Sequence, residues 1–441
     1  MSRKMSIIVM VFAVILLFAA SSGAASVTVE TGAETPAVLT GKVHHVTARV
    51  LLKPGVSVKS RAPIAAALVI DKSGSMQADG KMENAKRGAV EALKMLDAMD
   101  IATVVAYDTE AYLLVKARPV SELANFTKSI SMLRAGGNTA LYDGVRLGAR
   151  EIERFLESGY VPRIILLSDG LANVGPSSLP ELTALGRALS RRGITVTTIG
   201  LGLDYDENLM TAIAAESGGN AYFARTKDRL EDIFRRDMED AVAITGRGVR
   251  ITISCEGGVR PIRSVGRAGR LNSKELIVDV DNLYSAEKYA IFELEIPASE
   301  VEAKLRAGRV KVEYTDAVTG SVVALESYLD IEYTTNESYA RKIRNTEIAT
   351  QADIARNTEV LELAVKLSDS GKGDEASILL RERAEYLSRP EYVDNELIQQ
   401  QITDFKSLAG DIAREGGMSN ESRKSSVNRV YTEKNQQSSW K

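Results

Sequence analysis

Three short segments of this 441-residue chain carry side chains suited to holding a small, hard ligand. The first is Asp71-Lys72-Ser73-Gly74-Ser75, directly after the apolar run Ile64 to Ile70. The second is Gly136-Gly137-Asn138-Thr139-Ala140-Leu141, a glycine-rich loop opening a helical stretch. The third is Ser168-Asp169-Gly170, at the end of the run Ile164 to Leu167. Asp71, Ser73, Ser75, Thr139 and Asp169 offer hydroxyl and carboxylate oxygens, with no imidazole or thiolate among them. Such a set selects Mg²⁺, Ca²⁺ or Mn²⁺ over Zn²⁺, and Mg²⁺ is the expected ion. Taken alone, D-x-S-x-S is more often a turn and a helix amino-terminal cap.

What matters is whether the chain brings the three segments together. From 61 to 244 apolar runs (Ile64–Ile70, Ile101–Tyr107, Ile164–Leu167, Ile194–Ile199) alternate with amphipathic stretches at helical spacing. Continuous apolar strands between helices indicate an α/β fold, a doubly wound and mostly parallel sheet covered on both faces. Ligands of such sheets bind beyond the carboxyl ends of the strands, and all three segments fall at that edge. Residues 26–60 and 245–335 alternate apolar and polar side chains and read as strands of one β-sandwich, in which the α/β unit is inserted. Residues 336–413 return to helical spacing, and the Ser-, Asn-, Gln- and Lys-rich stretch 414–441 is expected to be disordered.

The D-x-S-x-S loop, the threonine in a glycine-rich second loop and the aspartate after a later strand together resemble the metal-ion-dependent adhesion site of von Willebrand factor type A (VWA) domains. In order and strand context the likeness covers some 180 residues, about the span from 61 to 244. It implies that Asp71, Ser73, Ser75, Thr139 and Asp169 hold one divalent cation, the hydroxyls directly and the aspartates directly or through water. It further implies an open position for an Asp or Glu carboxylate of a partner protein, and a binding module rather than an enzyme. In domain order the chain also resembles bacterial extracytoplasmic VWA proteins labelled as homologues of calcium-activated chloride channels. No long apolar run beyond the amino terminus supports a pore.

Neighbouring polar residues have blander readings. Asp143 suits the acidic first turn of a helix. Asp108 is expected to be a solvated loop carboxylate. Lys72 and Gln77 stand near the site with nothing in the sequence to separate ligand contact from surface, and Asp204, Asp206 and Glu216 lie in loops of undetermined geometry.

Composition excludes several functions. Residues 1–25 have a basic start (Arg3, Lys4), an apolar run from Ile7 to Ala20 and a small-residue exit, as in a signal peptide; an uncleaved anchor is the alternative. Export to the periplasm or beyond is therefore expected, with no membrane span once the signal is removed. Without that segment 54 basic residues face 59 acidic ones, which gives no reason to expect a nucleic-acid partner. The two histidines, His44 and His45, are adjacent on a strand and point to opposite faces. There is no H-E-x-x-H, no Walker loop, and Gly200-Leu201-Gly202 lacks the third glycine of a dinucleotide loop. An aspartyl phosphotransferase would want a carboxylate where Ser73 stands. An envelope scaffold acting through its sandwich and helical tail, or a hydrolase with an unrecognised site, are the alternatives. The single cysteine, Cys255, permits no intramolecular disulfide and reads as a small core residue. Oligomeric state is not legible.

Overall fold

The computed structural model describes residues 27–55, 63–224, 227–317 and 319–436. The expected signal segment, 1–25, lies outside them. Three strands come first: β1 (Val27–Ala33), β2 (Ala37–Leu39) and β3 (His44–Pro54). The α/β unit follows, with β4 (Ile64–Asp71), α1 (Lys81–Lys94), β5 (Ile101–Tyr107), β6 (Ala111–Pro119), α2 (Leu123–Ser131) and α3 (Leu141–Glu153). It continues through β7 (Val161–Ser168), α4 (Leu179–Ser190), β8 (Thr195–Leu201), α5 (Glu207–Ser217), β9 (Ala221–Ala224) and α6 (Lys227–Val242). The later strands are β10 (Gly246–Cys255), β11 (Arg260–Val265), β12 (Gly269–Leu271), β13 (Glu275–Leu283), β14 (Lys288–Ile296), β15 (Lys304–Asp316) and β16 (Val322–Thr334). The helices α7 (Glu337–Lys342), α8 (Thr346–Asp369), α9 (Gly373–Leu387), α10 (Glu396–Glu415) and α11 (Asn420–Asn435) close the chain.

The α/β sheet runs β6-β5-β4-β7-β8-β9. Every pairing is parallel except β5 with β6, an antiparallel edge hairpin. β4, β5 and β7 are buried along their whole length because helices cover both faces, and their side chains are accordingly mostly apolar. From β4 the chain steps to β5 and β6 on one side and only later to β7 on the other. The order therefore reverses between β4 and β7, and a crevice opens at their carboxyl ends. Asp71 ends one of these strands and Asp169 follows the other.

The sandwich packs a β1-β3-β14-β11 sheet on a β12-β13-β10-β15-β16-β2 sheet. Val46, Ala48, Val50 and Leu52 of β3 meet Ile251, Ile253, Val278 and Val310 of the facing sheet in one core. β3 pairs with β14 from Lys288↔Leu52 to Ile296↔His44, so the α/β unit is an insertion between strands of the same sandwich. Cys255 is partly buried against this core, and burial pushes its thiol up to about 11.

The expectation of a disordered tail from 414 is corrected: α10 runs to Glu415 and α11 covers Asn420–Asn435. α11 lacks an apolar stripe, which is why its composition reads as disorder. It is held by polar contacts instead. The Ser419 side chain caps it, Tyr431 Oη donates to the Gly219 carbonyl at 2.8 Å, and Asn428 Nδ2 donates to the Ala221 carbonyl at 3.0 Å. Lys424 and Arg423 both pair with Glu207 at the start of α5. On its other side α11 joins α8, α9 and α10 around Leu361, Leu380, Phe405 and Val430.

Candidate metal centre

β4 delivers Asp71 to the crevice fully buried, and its carboxylate is fixed from three sides. Oδ1 accepts the Ser73 amide at 2.8 Å, while Oδ2 accepts the Ser168 hydroxyl at 2.7 Å and the Tyr107 hydroxyl at 3.3 Å. Burial raises the Asp71 pKa above the ordinary carboxylate value, aided by the nearby Asp169 charge and opposed by the bonds from Ser73 and Ser168. Past Asp71 the chain turns into a 3₁₀ segment, Gly74–Gly80, that carries Ser75 to the surface.

The second loop is laced to the first through its backbone. Gly136 N donates to the Lys72 carbonyl at 2.7 Å, and Gly74 N donates to the Gly137 carbonyl at 3.0 Å. Gly137 has φ +81°, and a Cβ there would stand 3.0 Å from the Asp108 carboxyl carbon, so glycine is required on both counts. Thr139 follows, 3% exposed; its amide donates to Asn173 Oδ1 at 2.8 Å, which locks the second loop to the third.

Asp169, fully buried after β7, divides its carboxylate. Oδ1 accepts the Ser75 hydroxyl at 2.7 Å, and Oδ2 accepts Lys81 Nζ at 2.9 Å. Ser73 and Ser75 hydroxyls lie 3.1 Å apart. Next to Asp169 stands Gly170, whose absent side chain marks the centre of the arrangement. A Cβ built there would lie 3.1 Å from Ser75 Oγ, 3.5 Å from Thr139 Oγ1 and 3.8 Å from Ser73 Oγ. Three hydroxyls from two loops thus converge on one space left clear by a glycine, with Asp71 bonded to Ser73 and Asp169 to Ser75. A cradle of that kind, lined by neutral and anionic oxygen, fits a hard divalent cation.

All five expected residues are therefore brought to one edge. Their neighbours resolve differently. Asp108 is not a solvated carboxylate: it is 8% exposed and paired with Lys72, whose ammonium also sits 5.1 Å from the Tyr112 ring centre. Burial works against its charge, but Lys72 and the Glu110 amide hold its pKa below the ordinary value. Asp143 pairs with Arg146 at 3.1 Å on the helix surface, Asp206 caps α5, and Glu216 pairs with Arg187 at 2.6 Å. His44 Nε2 meets the Leu39 carbonyl at 2.7 Å and His45 lies 3.7 Å from Glu295, both remote from the crevice. Among the described residues no cluster of three or more His, Cys, Asp or Glu suited to a metal occurs.

Sequence reasoning missed Lys81, Tyr107 and Ser168. Lys81 heads an amphipathic helix and looks like a surface lysine, yet its side chain is 8% exposed and bridges Asp169 to Asp204. Ser168 and Tyr107 end strands whose contacts to Asp71 appear only once β4, β5 and β7 are paired.

The von Willebrand factor type A domain model matches residues 67–236. An uncharacterised Synechocystis protein is 25% identical over 332 residues, 70% of this chain and 76% of that one. The bovine calcium-activated chloride channel regulator 1 is 25% identical over 189 residues, 42% of this chain but 20% of the regulator. Among solved structures, a von Willebrand factor type A protein from Catenulispora acidiphila superposes with a TM-score of 0.68 at 17% identity, over 89% of this chain and 92% of its own. That likeness reaches beyond the α/β unit into the sandwich and helices. No helix among the described residues is long and apolar enough to cross a membrane. Residues 67–236, which carry all five candidate ligands, are accordingly a von Willebrand factor type A domain.

Proposed function

We propose that the chain is a metal-dependent protein-binding module with an adhesion or assembly role, and not an enzyme. Asp71, Ser73, Ser75, Thr139 and Asp169 would hold a divalent cation, Mg²⁺ in the first place. The observation that carries this reading is the convergence of three hydroxyls on the space beside Gly170. When bound, the ion would supply a Lewis-acidic position for a carboxylate of the partner, since only two of the five side chains around it are anionic. The protein's own residues do the rest. Ser168, Tyr107 and the Ser73 amide hold Asp71 in place, and the Asn173 carboxamide fixes the loop bearing Thr139.

Ser75 lies on the exposed rim, so an acidic side chain of a partner protein reaches the site without the fold opening. Leu171 beside it is 57% exposed and gives such a partner an apolar contact. The composition of residues 1–25 supports action outside the cytoplasm, secreted or periplasmic.

Calorimetric titration with Mg²⁺ and Mn²⁺ tests the metal, on wild type and on Ser75→Ala and Asp71→Ala. Retention of a partner from envelope extract by immobilised protein, in Mg²⁺ and in EDTA, tests the binding. Metal uptake by wild type alone, with a partner retained only in Mg²⁺, supports the reading. A partner retained equally in EDTA and by both variants rules out recognition through the metal and redirects attention to the sandwich and the helical tail.

A further inference from the structure

Among the described residues, Lys81 is the one cationic side chain that bonds a candidate ligand and belongs to none of their loops. It begins α1, after Gly80 turns the chain at φ +67°. Its ammonium is held between Asp169 Oδ2 at 2.9 Å and Asp204 Oδ2 at 2.7 Å. The two carboxylates differ sharply: the Asp169 side chain is fully buried and that of Asp204 is 68% exposed. The path of the lysine stem has been cleared as well, since a Cβ at Gly202 would stand 2.9 Å from Lys81 Cε.

We propose that Lys81 is a positioning residue that serves as the resident counter-charge of the site and sets how tightly it takes up a divalent cation. This rests on the metal reading above. With Lys81 in place, the buried groups facing the cradle carry two negative charges and one positive. Without it they carry two negative charges. Affinity for hard divalent ions follows the number of charged ligands and the rigidity of their cage. Lys81 lowers that count while holding Asp169 with one oxygen on Ser75, so the site is kept rigid yet of moderate affinity, loading reversibly.

A lysine that merely braces α1 behaves differently. Removing a brace lowers stability and loosens the site, which weakens metal uptake. Removing a counter-charge tightens it. The two roles therefore predict opposite signs in a direct binding measurement. Lys81→Met keeps most of the stem and deletes the charge, and Lys81→Arg keeps the charge.

The test is Mn²⁺ binding followed by the electron paramagnetic resonance signal of the free ion, on the full chain in each form. Circular dichroism melts in EDTA accompany it. Lys81→Met is expected to bind Mn²⁺ at least about tenfold more tightly, because one nearby positive charge no longer repels the ion, while melting no higher than wild type in EDTA. Lys81→Arg keeps the charge and should stay within about threefold of wild type.

Should Lys81→Met fail to fold, Asp204→Asn carries the test. Asp204 is exposed and its own field at the site is screened. Losing it throws the whole lysine charge onto Asp169, so Mn²⁺ binding should weaken. Unchanged or weaker binding by folded Lys81→Met, or unchanged binding by Asp204→Asn, overturns the role given to Lys81 while leaving the metal site standing. No Mn²⁺ or Mg²⁺ binding by folded wild type overturns the metal reading, and this one with it.

Discussion

The guanidinium of Arg163 meets the carboxylate of Asp237 through two parallel hydrogen bonds, Nε to Oδ2 at 3.0 Å and Nη2 to Oδ1 at 2.8 Å, both side chains shut off from solvent. Thr197 and Asn220 donate to the same Asp237 Oδ1, at 2.6 and 3.1 Å. The pair clamps α6 to the first turn of β7, the strand whose far end leads to Asp169. A buried pair with its remaining lone pairs satisfied is costly to break from one side. Asp237→Ala should destabilise the protein by about 3–5 kcal/mol, read from the midpoint of a urea titration followed by circular dichroism.

Gly170 offers a sharper probe of the cradle than any ligand deletion. Its backbone is not left-handed, so Gly170→Ala adds one methyl group without φ strain. That methyl enters the space among Ser73, Ser75 and Thr139. The expected outcome is loss of Mg²⁺ and Mn²⁺ heat in calorimetry, with a melting temperature in EDTA close to wild type. Retained binding would show that the ion sits elsewhere.

Asp71, Ser73, Ser75 and Asp169 were legible from sequence because each follows closely on an apolar strand end, and strand ends in a parallel sheet share a side; Thr139 was legible from the glycine-rich loop that opens a helix. Lys81 was not, because its meaning depends on Asp204 and Gly202, more than a hundred positions on. β6 was missed for another reason: its exposure follows neither a two-residue nor a helical period, since it is an edge strand with both faces partly wet. Asp108 looked solvated because nothing local announces Lys72 and the lid formed by Gly137. α11 hid behind its composition, its anchors being hydrogen bonds to distant carbonyls.

At the junction of the α/β unit with the sandwich, Lys288 is 6% exposed, with its ammonium 5.2 Å from the Tyr284 ring centre. Burial first, and then the Arg267 charge, lower its pKa from 10.5 to about 7, with Asp281 and Asp240 pulling the other way. A lysine depressed in the folded state binds fewer protons there than when unfolded. Its contribution to stability therefore increases with pH across the window from about 7 to 10.5. The slope is at most about 1.4 kcal/mol per pH unit. Urea midpoints at pH 7 and pH 9.5 should rise for wild type and change less for Lys288→Met.

Tyr431 reaches across 212 positions to the Gly219 carbonyl. Tyr431→Phe leaves that buried acceptor without its hydroxyl partner, at a cost of about 1–3 kcal/mol. Hydrogen exchange should quicken in β9 and α5, where α11 rests, and stay unchanged in β3 and β14. Uniform quickening across the sandwich as well would mean that α11 stabilises the whole chain and not this seam.

The insertion of the α/β unit also dictates an order of events during synthesis. β3 cannot find its neighbour β14 until the entire unit between them has been made, and the register Leu52↔Lys288 spans that wait. Local contacts form early and distant strand pairings late, so the unit from 63 to 242 is placed to fold first while β1 and β3 remain an unsupported hairpin. Destabilising the inserted unit should accordingly slow assembly of a β-core whose own residues are untouched.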